Sequence, residues 1–207
     1  EAVHQFLDYK YDYQADFRNH SCLLSGSEKD FTKECEGTLK DAAAPLILLW
    51  GDSHGAMLFQ SLRQAGELRN ISVAQYTSSS CPPILNFEKS DRPLCKSIND
   101  AIFEKIRELK PDTIVMAHDW PQSVGDGSLN KLPATVAKLR VLGVQRIVVV
   151  GPVPHWTSSL PSDVARVMRS GFHSSVPDRK TELLDTSLPL LSESMRQMAG
   201  SLSLEYV

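Results

Sequence analysis

An α/β fold with a parallel sheet covered by helices on both faces is predicted for this chain by three observations. Short aliphatic runs that read as strands buried on both sides recur from Pro45 onward. Stretches with apolar residues at helical spacing alternate with them, and glycines and prolines punctuate the joins. Strands and helices alternating at this rhythm form parallel sheets, because each return to the same end of the sheet needs a crossover, usually a helix.

The elements follow in order. Leu46 to Trp50 is the first strand, and Gly55 to Leu68 is a helix with Met57, Leu58, Leu62 and Ala65 on one face. Ile71 to Tyr76 is the second strand, followed by the polar loop Thr77-Ser78-Ser79-Ser80-Cys81-Pro82-Pro83. Ile98, Ile102, Phe103, Ile106 and Leu109 mark a helix that stops before Pro111, and Thr113 to Ala117 is the third strand. Leu132 to Leu142 is a helix closed by Gly143, and Arg146 to Val150 is the fourth strand, running into Gly151-Pro152-Val153-Pro154-His155. A helix near Leu188 to Met198 precedes a fifth strand at Leu202 to Val207. Residues 1–44 show no alternation and read as a helical or irregular extension packed across the main domain, residues 45–207.

Composition bounds the function. The 207 residues are 42% hydrophobic and 23% charged, ordinary values for one globular core with decorations. A net charge of −3 argues against a nucleic-acid partner. No run approaches the ~18 apolar residues of a membrane helix. The start of the chain lacks the basic-then-apolar pattern of a signal peptide.

The four cysteines form two local pairs, Cys22 with Cys35 and Cys81 with Cys95, each bracketing a turn-rich loop. No C-x-x-C or Cys/His cluster offers zinc spacing, so no metal is expected. Of the three possible connectivities, the local one staples both irregular loops, and an oxidising compartment follows from it.

Ser53 is the candidate nucleophile. Gly51-Asp52-Ser53-His54-Gly55 turns the first strand into a helix, where the amides of a first helical turn carry partial positive charge that favours an oxyanion. The competing reading is that Asp52 and Ser53 only cap the helix. In parallel α/β sheets ligands sit at the carboxyl ends of the strands, where Ser53, residues 78–83, His118 to Trp120 and Pro152 to Trp156 all emerge.

Gly51-Asp52-Ser53-His54 after an aliphatic strand resembles the first block of the SGNH (GDSL-like) hydrolases. With the S-x-x-C-P-P loop, the later cysteine and G-P-V-P in this order, the chain resembles the periplasmic SGNH domain fused behind a membrane acyltransferase-three domain in bacterial O-acetyltransferases. The resemblance runs from about Cys22 to about Trp156, and less clearly to the end.

It implies a flavodoxin-like three-layer fold and an acyl-serine at Ser53, whose own N–H would serve as one oxyanion donor. Asp52 and His54 belong to the motif without being base and orienter, since His54 diverges from the Ser53 hydroxyl. The second-block glycine has no counterpart in residues 78–81, which leaves the Ser80 amide as oxyanion donor by position. The third-block asparagine is replaced by Ala117-His118-Asp119-Trp120, with Trp120 matching a tryptophan common in the subfamily. His118, Trp120 and His155 are pocket candidates.

The family's D-x-x-H is absent, so the sequence is expected to stop before the acid and base, leaving it inert toward acetyl esters. The alternatives are a base at His118 or His155, or a non-catalytic glycan-binding module. The resemblance further implies acetyl-CoA as ultimate donor with no cofactor on this domain, a membrane domain of the same polypeptide as partner, and a polysaccharide such as a lipopolysaccharide O-antigen as acceptor. Its place would be the periplasm, tethered to the inner membrane. A carbohydrate acetylesterase using the same serine is the nearest rival.

Overall fold

The structure, a computed structural model, describes residues 10–38, 43–170 and 184–207. Among these residues six strands form one wholly parallel sheet: β1 (Leu23–Leu24), β2 (Leu46–Gly51), β3 (Ser72–Ser78), β4 (Thr113–Ala117), β5 (Arg146–Val149) and β6 (Glu205–Tyr206), in the order β1-β3-β2-β4-β5-β6. Eight α-helices among the described residues accompany it: α1 (Tyr13–Asp16), α2 (Ser53–Ala56), α3 (Phe59–Glu67), α4 (Cys95–Leu109), α5 (Trp120–Gly125), α6 (Leu132–Val141), α7 (Leu160–Arg169) and α8 (Leu188–Ser201). Without β1, the order is the flavodoxin-like one, and the chain reverses direction across the sheet on either side of β2.

The aliphatic runs are strands because both faces of the sheet are buried, and alternate residues serve opposite layers. On one face Leu48, Trp50, Ala74, Tyr76, Ile114, Met116, Ile147 and Val149 join Ile98, Ile102 and Ile106 of α4, Val136 and Leu139 of α6, and Met195 and Ala199 of α8. On the other, Leu49, Val73, Val115 and Val148 pack against Phe59, Leu58 and Leu62. Three of the four isoleucine and leucine spacings that marked α4 in the sequence reach the core, and Lys110 ends that helix in a left-handed conformation (φ 49°) one residue before Pro111.

Several elements differ from expectation. The helix expected from Gly55 is two helices, because the Asp52 side chain caps it two residues earlier and the Leu58 N–H bonds back to Gly55 O at 2.9 Å, breaking the register. Met57, placed on the buried face by a single-helix reading, falls at that break and is 44% exposed; Ala65 is exposed as well, while Gly66 is buried. The last strand is only Glu205–Tyr206, since Leu202 and Leu204 donate to Met198 O and Ala199 O and belong to the turn that closes α8. Helices α5 and α7, each opened by a proline in its first turn, were not anticipated.

The described part of the N-terminal extension is mostly irregular, as expected, yet it also supplies β1, which pairs Leu23 with Thr77 and Leu24 with Ser78. It is stitched to β3 by side chains: Thr77 Oγ1 donates to Cys22 O (2.8 Å), Gln75 Nε2 donates to Phe17 O (3.0 Å), and Val73 N–H donates to Thr38 Oγ1 (3.1 Å). The Arg18 guanidinium lies 4.4 Å over the Phe59 ring.

Both local disulfides are present, Cys22–Cys35 and Cys81–Cys95, each with a Cα–Cα distance of 5.5 Å, and no cysteine is free. The second fastens the loop after β3 to the first residue of α4. Alkylation of the oxidised protein followed by intact-mass measurement is expected to find no free thiol. Reducing either bridge should cost about 2–4 kcal/mol. A melting temperature unchanged by reductant would contradict that.

Candidate active site around Ser53

The turn after β2 lies at the reversal of strand order, between the carboxyl ends of β3 and β4: Gly51 is in register with Thr77 on one side and Ala117 on the other. Residues just after these three strands therefore meet, as crevices at such switch points require. Asp52 is the N-cap of α2 (φ −110°, ψ −150°), and its Oδ1 accepts the His54 N–H at 2.8 Å. The cap is thus Asp52 and not Ser53. Ser53 is the first helical residue, half-buried, and no described residue hydrogen-bonds its hydroxyl.

The buried Asp52 carboxylate holds three groups. Besides the His54 amide, its Oδ2 accepts the Asp119 N–H at 3.3 Å and stands 2.8 Å from Nδ1 of the buried His118. Burial pushes the Asp52 carboxyl up, but its contacts with His118 and His54 outweigh that and hold it well below the ordinary carboxylate value of 3.8. A carboxyl depressed on folding adds stability above its unfolded pKa and loses it as pH falls through the folded one. Asp52→Asn should accordingly cost about 3–5 kcal/mol at neutral pH, because it breaks a buried pair on one side only. The penalty should shrink below about pH 4, where the unfolded aspartate is protonated. Denaturant melts of the variant and the parent across pH 3–7 measure it; a penalty independent of pH would place the charge elsewhere.

The structure gives each sequence-derived site residue a place. His118, expected at the pocket, is 2% exposed beneath Asp52 and edge-on to the Trp120 ring. Trp120 is fully buried and donates its Nε1–H to Val150 O at 2.6 Å, tying the loop after β4 to the end of β5. Neither lines an open wall. His54 and His155 are both partly exposed, with ring centroids 5.7 Å apart. Ser80 sits in a left-handed conformation (φ 53°), on the rim after β3. The Ser79 N–H donates to Leu24 O and the Cys81 N–H to Ser78 O, so of these three amides the one at Ser80 is left uncommitted among the described residues.

Residues that sequence reasoning missed brace this rim. Lys89 Nζ donates to Ser80 O (3.0 Å) and to Gln122 Oε1 (3.2 Å), and Gln122 Nε2 donates to Asp119 Oδ2 (2.6 Å). Asn99 of α4, 1% exposed, accepts from Trp50 Nε1 (2.8 Å) and donates to Pro82 O (2.8 Å) and Ile84 O (3.1 Å), which fixes the Cys-Pro-Pro turn to β2. A sequence signal existed only for the position of Asp119, immediately after a strand.

The fold and this turn define a parallel α/β domain that presents one serine at its switch point. The chain belongs to the family described as "SGNH domain (fused to AT3 domains)", whose model matches residues 16–199. No curated protein matches it in sequence. Among solved structures it is similar to the periplasmic domain of a lipopolysaccharide acetyltransferase from Salmonella ser. Paratyphi A, with a TM-score of 0.78, 18% identity, and coverage of 99% of this chain and 78% of that one. At that identity the likeness shows the fold.

Proposed function

We propose that this domain is the periplasmic acyl-transfer unit of a membrane O-acetyltransferase, with Ser53 as acyl carrier. The observation that carries the reading is the Ser53 turn at the switch point of a chain belonging to a family of SGNH domains fused to AT3 domains. The Ser53 oxygen attacks the acetyl carbonyl of the donor, forming an ester as the donor's leaving group departs and the hydroxyl proton passes to a base. An acceptor hydroxyl then attacks that ester, takes the acetyl group and returns the proton to Ser53. The Ser53 and Ser80 amides would hold the oxyanion of each tetrahedral intermediate.

No histidine among the described residues hydrogen-bonds Ser53, and His118 is engaged with Asp52, which supports a base supplied from elsewhere in the full protein. The membrane domain of the same polypeptide would hand acetyl from acetyl-CoA to Ser53 with no cofactor bound here, and the acceptor would be a surface glycan such as an O-antigen. The two disulfides and the AT3 fusion of the family support the periplasmic side of an inner membrane.

The test is to incubate the full-length protein with an activated acetyl ester, quench it in acid, and look by mass spectrometry for acetyl on the peptide carrying Ser53. Acetyl-Ser53 that discharges faster to an added glycan than to water supports the transferase. Discharge to water alone supports an esterase instead. No acetylated peptide, with the ester consumed, removes Ser53 from the mechanism.

A further inference from the structure

We propose that His54, Asp119 and His155 form a binding site for a divalent transition-metal ion of zinc's class, assembled from the loops that leave the carboxyl ends of β2, β4 and β5. One donor atom from each of the three lies within 4.8 Å of the others, the sole grouping of this kind among the described residues. Two imidazoles and a carboxylate are a common zinc ligand set, with further positions left for water or a ligand. Sequence spacing does not reveal it, because the ligands come from residues 54, 119 and 155, and only the sheet order brings β2, β4 and β5 side by side.

Two features point to a ligand beyond mere proximity. Asp119 Oδ1 is occluded from solvent and has no hydrogen-bond partner, and the equally occluded His54 Nδ1 has only the Asp52 carboxylate beside it. His54 Nδ1 stands 3.5 Å from Asp52 Oδ1, outside good hydrogen-bond geometry, and Asp119 Oδ1 stands 3.7 Å from His155 Nε2. Buried polar atoms ordinarily find partners, and a cation would satisfy both.

The ligands are also braced. Asp52 fixes the amides of His54 and Asp119, while Gln122 holds the second oxygen of Asp119 at 2.6 Å and aims the first inward. Such outer contacts orient metal ligands. Donors around tetrahedral zinc stand about 3.3 Å apart, against 3.7 Å between His155 Nε2 and Asp119 Oδ1, so the partly exposed His155 ring draws inward on binding.

Charge favours a dication. With neutral imidazoles, Asp52 and Asp119 give the cluster two negative charges, and no lysine or arginine ion-pairs with either among the described residues. The site does not depend on the acyl-transfer reading, because it is tested by binding alone.

The measurement is calorimetric titration of the chelator-stripped protein with Zn²⁺, alongside the visible spectrum after adding Co²⁺. One saturable equivalent of Zn²⁺ and tetrahedral Co²⁺ bands are expected. Asp119→Asn and His155→Ala should each weaken binding at least 100-fold, Gln122→Ala about tenfold, and His20→Ala, at an exposed histidine remote in sequence, not at all. His155→Ala alters a partly exposed loop residue and Asp119→Asn is isosteric, so both should keep the parent's circular dichroism. Absence of saturable binding, or binding that survives both substitutions, overturns the proposal.

Discussion

Ser53→Ala is expected to abolish glycan acetylation by the full-length protein while leaving the domain folded. In serine–histidine–aspartate sites, loss of the nucleophile costs on the order of 10⁶ in turnover, with about 10³–10⁴ over water left to binding and the oxyanion donors. The structural side is as specific. Asp52, not Ser53, caps α2, and no described group bonds to the Ser53 hydroxyl, so its removal strands no partner. The stability change should stay within about 0.5 kcal/mol, against about 1 or more for a lost cap. Acetylation measured on the glycan and melting measured on the domain separate the two roles. Retained acetylation would exclude Ser53 as carrier, and a large loss of stability would restore the capping role.

Gly51→Ala should be the most damaging single-methyl substitution at the site, for a reason of space. An added Cβ would stand 1.8 Å from the backbone oxygen of Ala117 and 2.9 Å from its carbon. That obstacle is the main chain of the neighbouring strand, which rotamer changes cannot relieve. The same Ala117 oxygen accepts the Asp52 N–H, so separating β2 from β4 also disturbs the residue that anchors His54, Asp119 and His118. Overpacking in cores costs about 1–3 kcal/mol and sometimes more, and this site should lie at the upper end. A fall of roughly 6–12 °C in melting temperature follows for a domain of this size. A variant that melts like the parent would mean the strands can part there at little cost.

These outcomes turn on contacts that the sequence disclosed unevenly. The four central strands were legible because burial on both faces demands unbroken aliphatic runs, as in Leu46–Gly51 and Thr113–Ala117. The two-residue strands at the margins carry no such run; Leu23–Leu24 lies in a polar stretch, and its partner is found 54 residues away. Ser53 was legible because its signal is local, a glycine-flanked turn from strand into helix. The local cysteine pairing was legible for the same reason.

Asp119, Lys89, Gln122 and Asn99 were not, since each acts through a residue brought near by sheet order or helix packing. His118 and Trp120 misled in the opposite sense. A position just past a strand suggested a pocket wall, whereas Asp52 and Val150 O draw both side chains into the interior.

The short outer strands also bear on how the molecule keeps apart from its own copies. A sheet margin with unpaired amides is a template for another chain, and long flat margins invite association. Here β3, seven residues long, is covered along its outer side: Thr77 and Ser79 donate to Cys22 O and Leu24 O, and Val73 donates to the Thr38 side chain. What remains outermost is two residues of β1, beside the Cys22–Cys35 bridge. On the far side of the sheet, Glu205 of β6 is joined to Arg146 of β5 by two hydrogen bonds of 2.7 Å. Among the described residues the N-terminal extension thus occupies the outer side of β3, so it and its disulfide guard that margin against sheet-to-sheet aggregation as well as brace the core.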